Sequence, residues 1–356
     1  MRNVLRWLAG LSEAAPFTLA TVVSTRGSVP MPPGSSMAIA DSGPIVGGVS
    51  GGCVDSDICA RAEVVRATGQ AQYVRYHPSG DPAAVALTCG GVMSVLIERV
   101  AGVELERFWR AAGAVLADRS VARAVAIPHV GRSGGRESAW TIDGLQCGAR
   151  LPVGFTADFS ADSAAVVAGQ FVTVIASRPR MLLFGSSPFV TEMCALGAFL
   201  GYAVTVCDAR RAFLDRSRFP AATEIVAANP GEYLRAELEA GRTDMRTVIL
   251  AMTHMERFDV GVLTAALRAP RGIAYIGALG SAATVAARKA ALARKGFSKS
   301  QISRVSMPAG LALGGRSPSE VSVAIAAEIV AVRSRPAERE VVNVKGVTPG
   351  DITRTF

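Results

Sequence analysis

The sequence predicts an α/β fold in two domains, and three observations carry that reading. At 356 residues the chain exceeds what one ordinary hydrophobic core organises. Half of its residues are hydrophobic and 19% are charged, the balance of a folded, core-rich protein. From about residue 180 short apolar runs alternate with helical stretches, the grammar of a doubly wound parallel sheet. The expected boundaries are 1–160 for a first α/β domain, 161–179 for a linker, 180–335 for the parallel-sheet domain and 336–356 for a tail.

Residues 2–14 carry Val4, Leu5, Leu8 and Leu11 at helical spacing and predict an amphipathic helix. Residues 17–24 read as a strand. The stretch 26–36, RGSVPMPPGSS, holds three prolines and two glycines and must be a loop. A short strand at 37–40 leads to GGVSGGCVD at 47–55. Four glycines in nine residues free the backbone for positive φ and for close approach of another molecule to its N–H groups. Helical periodicity starts at Val54 and runs to Gly69, so Cys53 is expected at a helix N-terminus, where anions are favoured and thiol pKa values fall. A tight turn around a buried cysteine explains the same local sequence.

Strands are expected at 72–76 and 92–98, joined by Thr88-Cys89-Gly90-Gly91, which repeats the thiol and glycine chemistry in mirrored order. A helix at 105–116, a strand at 122–127, a basic turn at 132–136 (RSGGR) and a strand at 138–142 complete the first half. In the second half strands are expected at 180–185, 203–207, 223–227, 247–252 and 273–276. Helices are expected at 188–201, 230–240, 259–268, 281–294 and 318–333.

The 180–208 segment has the layout of a dinucleotide-binding unit: strand, glycine turn, helix, strand, and Asp208 at its end. Its turn reads Gly185-Ser186-Ser187-Pro188, so Ser187 stands where the second glycine of G-x-G-x-x-G lets a pyrophosphate touch the backbone. Serine hydroxyls still bind phosphate, whereas NAD(P) binding is disfavoured. Thr253-His254 and Gly277-Ala278-Leu279-Gly280-Ser281 follow predicted strands and belong to the same crevice.

Formal net charge is +9 with Arg far outnumbering Lys, yet no basic run is interleaved with aromatics, which argues against nucleic acid and for a phosphorylated small molecule or an acidic partner. The six cysteines form no CxxC pair and no cluster with the three histidines, so neither structural zinc nor a disulfide framework is expected, and reduced thiols suit the cytoplasm. Arg2 and Arg6 ahead of WLAGL mimic a signal peptide until Glu13 interrupts the run, and no apolar stretch is long enough to span a membrane.

Seven segments together resemble the XdhC/CoxI family, accessory factors of xanthine dehydrogenase and related molybdenum hydroxylases. They are PMPPGSSM (30–37), GGVSGGCVD (47–55), TCGGVMSVLIE (88–98), LLFGSSP (182–188), LGYAVTVCDAR (201–210), YIGALGS (275–281) and MPAGLALGGRSPSEVSVAIAAEIVA (307–331). The resemblance implies an XdhC/CoxI α/β domain followed by a Rossmann-like domain. It implies binding and protection of molybdenum cofactor, as molybdopterin or its dinucleotide form, support for its sulfuration, and delivery to an apo molybdenum hydroxylase. A cysteine desulfurase or sulfurtransferase and a second copy of the chain are further implied partners. The cofactor-binding expectation falls on Gly48, Ser50, Gly51, Gly52, Cys53, Cys89, Gly90, Gly91, Gly185, Ser186, Ser187, Asp208, His254, Gly277, Gly280 and Ser281, with Cys53 and Cys89 near the molybdenum. Such a protein is a cofactor chaperone more than an enzyme. Ser187 departs from the family's Rossmann turn, and Ala309 replaces a bulkier aliphatic residue. The alternative is an NAD(P)-dependent oxidoreductase using Gly185, Asp208 and His254; a scaffold with decayed sites is a third reading.

Overall fold

The structure, a computed structural model, describes residues 1–13, 15–41, 43–78, 87, 89–127, 138–148, 152, 157–159, 161–253, 255–269 and 272–334. The expected 132–136 turn and the tail after residue 335 lie outside them. The chain forms two compact units, Met1–Ser177 and Arg178–Phe356.

In the first unit the elements are α1 (Arg2–Ala9), β1 (Phe17–Arg26), β2 (Ser36–Ala40), β3 (Ile45–Gly47), α2 (Cys53–Thr68), β4 (Gln72–Tyr76), β5 (Val92–Val100), α3 (Gly102–Leu116), β6 (Val121–Ala126), β7 (Ala139–Ile142), β8 (Leu145–Gly148), β9 (Ser163–Val167) and β10 (Gln170–Ile175). They build two antiparallel five-stranded sheets, ordered β3-β2-β1-β5-β4 and β8-β7-β6-β10-β9. Two expectations need correction. The helix expected over 2–14 stops at Ala9, where the Gly10 N–H turns back to the Trp7 and Leu8 carbonyls. The expected linker 161–179 instead carries β9 and β10, a hairpin whose Ala168 and Gly169 both take positive φ, as a two-residue turn requires.

Alternation along β1 and β5 divides the first sheet's faces. Ala20, Val22, Val95 and Ile97 pack under Val54, Ile58 and Val65 of α2. Val23 and Leu96 meet Val125 and Phe171 of the second sheet. Within the same unit Arg123 on β6 is almost wholly buried and donates to both Glu98 oxygens at 2.8 Å, tying β6 to β5. Because two charges leave water together, the pair relies on this bidentate geometry, supported by a further Arg123 bond to Glu104 at 3.2 Å.

The second unit contains β11 (Arg180–Phe184), α4 (Pro188–Phe199), β12 (Ala203–Asp208), β13 (Glu224–Ala227), α5 (Pro230–Glu239), β14 (Val248–Ala251), α6 (Glu256–Leu267), β15 (Tyr275–Ala278), α7 (Ala282–Arg294), α8 (Lys299–Ile302), β16 (Val305–Ser306) and α9 (Pro318–Ser334). All six strands run parallel in the order β13-β12-β11-β14-β15-β16. One face packs against α4 and α9 through Met181, Leu183, Val204, Val206, Ile325 and Ile329. The other packs against α5, α6 and α7 through Leu182, Phe184, Ile249, Leu263 and Leu292. The strand order reverses between β11 and β14, so the carboxyl ends of those two strands form the switch-point crevice of an open α/β sheet.

Candidate functional site

In the first sheet, register fixes which loops share an end. Arg26 of β1 faces Val92 of β5, Met37 of β2 faces Gly47 of β3, and Tyr76 of β4 faces Met93. The Gly48–Gly52 loop after β3 and the Cys89–Gly91 turn before β5 therefore open at the same end of the sheet. Buried Val54 and Leu87, close in sequence to Cys53 and Cys89, both enter the cluster built on Val22, Met37 and Met93. β3 and β5 are three strand spacings apart, about 14 Å across the sheet. A ligand that touched both loops would span β1 and β2.

The glycine loop is held from inside. Asp55, in the first turn of α2, accepts from the N–H groups of Val49 at 3.1 Å, Ser50 at 3.0 Å and Gly51 at 2.6 Å, and from the Ser50 hydroxyl at 3.3 Å. The Gly52 N–H donates to Ser50 Oγ at 3.3 Å. The N–H groups expected to cradle an external anion are thus occupied by the protein's own carboxylate, which the positive end of α2 also favours. Gly51, with φ +76°, and Gly52 are exposed, and nothing stands within 4 Å of where a β-carbon would be. A β-carbon at Gly48 would meet only Asp55, at 3.6 Å.

On the second loop Cys89 is exposed and free, and Gly90, with φ +77°, faces open space. Gly91 is different: a β-carbon there would lie 2.2 Å from the Ser28 carbonyl, so its glycine seats the loop against the end of β1. Of Cys53 the structure describes the backbone, at the first position of α2. The other thiols of known setting are poor nucleophiles. Burial pushes Cys194 up to about 11 and Cys207 up to about 12, and burial followed by the Asp55 charge raises Cys59. Among the described residues no group of three or more His, Cys, Asp or Glu side chains converges as a metal site.

At the crevice of the second unit, Gly185 has φ +129°, and a β-carbon on it would stand 2.6 Å from the Met252 carbonyl, so glycine is what lets the exits of β11 and β14 touch. Ser186 is buried and donates to Asp208 Oδ2 at 2.8 Å, while Arg218 donates to its carbonyl at 2.7 Å. Ser187 caps α4 by position, ahead of Pro188, and its hydroxyl is sealed without a partner among the described residues. Asp208 accepts four hydrogen bonds: from Arg210 N–H and Nε at Oδ1, and from Arg210 NH2 and Ser186 Oγ at Oδ2. Burial alone would raise its carboxyl, but these bonds outweigh it and hold the group below the ordinary aspartate range. With its lone pairs so used, Asp208 has none left for a ribose diol.

The remaining predicted residues divide. Gly277 lies inside β15, where the space for a side chain is filled by Tyr275 and Leu250. At Gly280 that space is taken by the end of Arg288, 2.9 Å away. Ser281 caps α7 and accepts from the Thr284 N–H at 3.3 Å. His254 lies outside the described residues. Beside these stand groups the sequence pattern did not single out as site residues: Asp55 as loop anchor, Arg210 and Arg218 around the Ser186 turn, the buried Asp259–Arg288 pair, and Glu328. Asp55 had a readable signal, an acid at the third helical position behind a glycine loop. Glu328 of α9 accepts from Tyr275 Oη at 2.6 Å, Ser306 Oγ at 2.6 Å and the Gly310 N–H at 2.7 Å, fixing the start of the 310–317 loop. A groove of about 880 Å³ between α5 and α6, edged by Arg235, Arg257 and Arg268, lies on the outer helical face and not at the crevice.

Two family descriptions match this chain. The XdhC and CoxI family covers residues 11–77, including β1 to β4 and the Asp55-anchored loop, and the XdhC Rossmann domain covers 181–329, including all of the parallel sheet but Arg180. The chain belongs to the XdhC/CoxI family. Family relatives match along nearly the full length. A probable xanthine dehydrogenase subunit from Bacillus subtilis (strain 168) is 25% identical over 334 residues, 92% of this chain and 96% of that one. The molybdenum cofactor insertion chaperone PaoD of Escherichia coli (strain K12) is 23% identical over 344 residues, 95% of this chain and 90% of that one. A crystal structure of a xanthine dehydrogenase from Bacillus halodurans shares the fold, with a TM-score of 0.75 at 24% identity, over 95% of this chain and 97% of that one. No helix among the described residues is long and apolar enough to cross a membrane.

Proposed function

We propose that this XdhC/CoxI protein is a molybdenum cofactor chaperone. It takes the cofactor, in the plain or dinucleotide form, as cargo, shields it, supports its sulfuration by a cysteine desulfurase or sulfurtransferase, and delivers it to an apo molybdenum hydroxylase of the xanthine or CO dehydrogenase type. The observation that carries the reading is the sharing of one sheet end by the Gly48–Cys53 loop and the Cys89–Gly91 turn, in a chain that aligns over 95% of its length with a cofactor insertion chaperone. Gly51, Gly52 and Gly90 leave open space for a ligand to lie against the two loops, whose own N–H groups are already taken, and Cys53 and Cys89 are the thiols assigned to the molybdenum and its exchangeable sulfur. Within the second unit, cofactor binding is assigned separately to the crevice of Gly185, Ser186, Ser187 and the loops carrying His254, Gly280 and Ser281. Asp208 acts there through Ser186 and Arg210, and Gly277 through packing. The protein works in the cytoplasm as a homodimer. A nicotinamide-dependent oxidoreductase is the poorer fit, because Asp208 is fully engaged by Arg210 and Ser186.

The test is expression in a molybdate-fed host, followed by oxidation of the purified protein and measurement of released pterin fluorescence. Pterin should co-purify with the parent and be reduced in Cys53→Ser and Cys89→Ser. A folded parent that carries none, together with cysteine variants that still mature the hydroxylase, would refute the proposal.

A further inference from the structure

Beneath the crevice two charged residues are completely buried. Asp259 on α6 and Arg288 on α7 are both 0% exposed and form an ion pair. Asp259 Oδ1 accepts from the Thr253 N–H at 3.2 Å and from the Thr253 hydroxyl at 2.7 Å. Thr253 Oγ accepts in turn from the Met255 N–H at 3.0 Å. The other end of the pair, Arg288, donates to the Leu279 carbonyl, and Gly280 leaves room for it to do so. One buried pair thus grips the first residues of two crevice loops, the exit of β14 and the exit of β15.

Stability does not explain the arrangement. Removing both charges from water costs several kcal/mol per ion, and well-packed hydrocarbon of equal volume usually holds helices as well or better. Arg288 Nε is moreover sealed without a partner among the described residues, so part of the desolvation cost is not recovered within the fold. Hydrocarbon would lack the directional bonds to the Thr253 N–H and the Leu279 carbonyl, which fix where each loop leaves its strand. We infer that Asp259 and Arg288 are positioning residues that hold the exits of β14 and β15 in ligand-ready geometry at the crevice, acting through Thr253 and Leu279. That the ligand is a molybdenum cofactor rests on the function proposed above; the grip on the loops does not.

The experiment uses the full chain. Thr253→Val removes the hydroxyl from Asp259 and from the Met255 N–H while leaving the Thr253 N–H bond, the ion pair and the Leu279 link in place. Thr253→Ser keeps the hydroxyl, and a double variant Asp259→Leu with Arg288→Met removes both charges and both links together. Amide hydrogen exchange is followed at the two loops, and pterin retention is measured in parallel. Thr253→Val is expected to melt within a few degrees of the parent, to exchange about tenfold faster at the exit of β14 with the exit of β15 unchanged, and to retain about tenfold less pterin. Thr253→Ser restores both readouts, and the double variant, if folded, exchanges about tenfold faster at both exits. Exchange within twofold of the parent at the β14 exit in Thr253→Val, or at the β15 exit in a folded double variant, overturns the inference. A parent without pterin counts against the chaperone reading alone, since the exchange readout still decides the positioning role.

Discussion

Replacing Asp55 tests the anchored loop most directly. Its carboxylate takes three backbone N–H groups and one hydroxyl from Val49, Ser50 and Gly51. At about 1 kcal/mol net for each backbone donor, Asp55→Ala should lose about 2–3 kcal/mol, or roughly 5–10 °C in melting temperature for a unit of this size. Asp55→Asn is a graded control. One amide oxygen can keep the Val49 and Ser50 bonds, which share Oδ1, but loses Gly51 on Oδ2, a change of about 1 kcal/mol. Emptying the nest also exposes N–H groups at a helix N-terminus, so added phosphate should stabilise Asp55→Ala more than the parent. Thermal melting with and without phosphate, and amide exchange at residues 49–51, are the assays. An alanine variant that melts within about 1 °C of the parent with unchanged exchange would refute the reasoning, because the loop would then hold its shape by glycine geometry alone.

Two further outcomes are expected. Gly185→Ala combines a left-handed φ with a β-carbon 2.6 Å from the Met252 carbonyl and should cost about 3 kcal/mol in urea unfolding, with near-parent stability meaning that the β11 and β14 exits part easily. At Glu328 burial raises the carboxyl, but bonds from Ser306, Tyr275 and Gly310 outweigh it and hold it below the ordinary value of 4.5. Its contribution is therefore present above that value and fades as pH falls through the lower native one. The parent should lose stability between roughly pH 5 and 3 more steeply than Glu328→Gln, and equal slopes would remove Glu328 from the acid response.

The parallel sheet was legible because β11, β12, β14 and β15 are short, buried apolar runs between helical stretches, with β13 a part-buried edge strand beside them. The strands expected at 180–185, 203–207, 223–227, 247–252 and 273–276 correspond to β11 through β15. The two-residue β16 carries too little pattern to read. β9 and β10 were hidden for another reason. Ser163–Gly169 is all small or short side chains, and Phe171 through Ile175 are buried on both faces, so no alternation marks the hairpin. At the site, glycine clustering revealed where the backbone is unusual but not what occupies the space. Gly51 faces open solvent, whereas Gly277 and Gly280 make room for Tyr275 and Arg288. Asp259 and Arg288 lie 29 residues apart and meet only through the tertiary fold.

The Glu328 contacts also set an order of assembly. Tyr275 on the fifth strand, Ser306 on the sixth and Gly310 beyond it all lean on one side chain delivered by the final described helix. A nascent chain emerging from the ribosome can pair its early strands, but that far rim has no shared acceptor until position 328 has been made. A ligand needing the finished rim must therefore arrive after position 328 has been made.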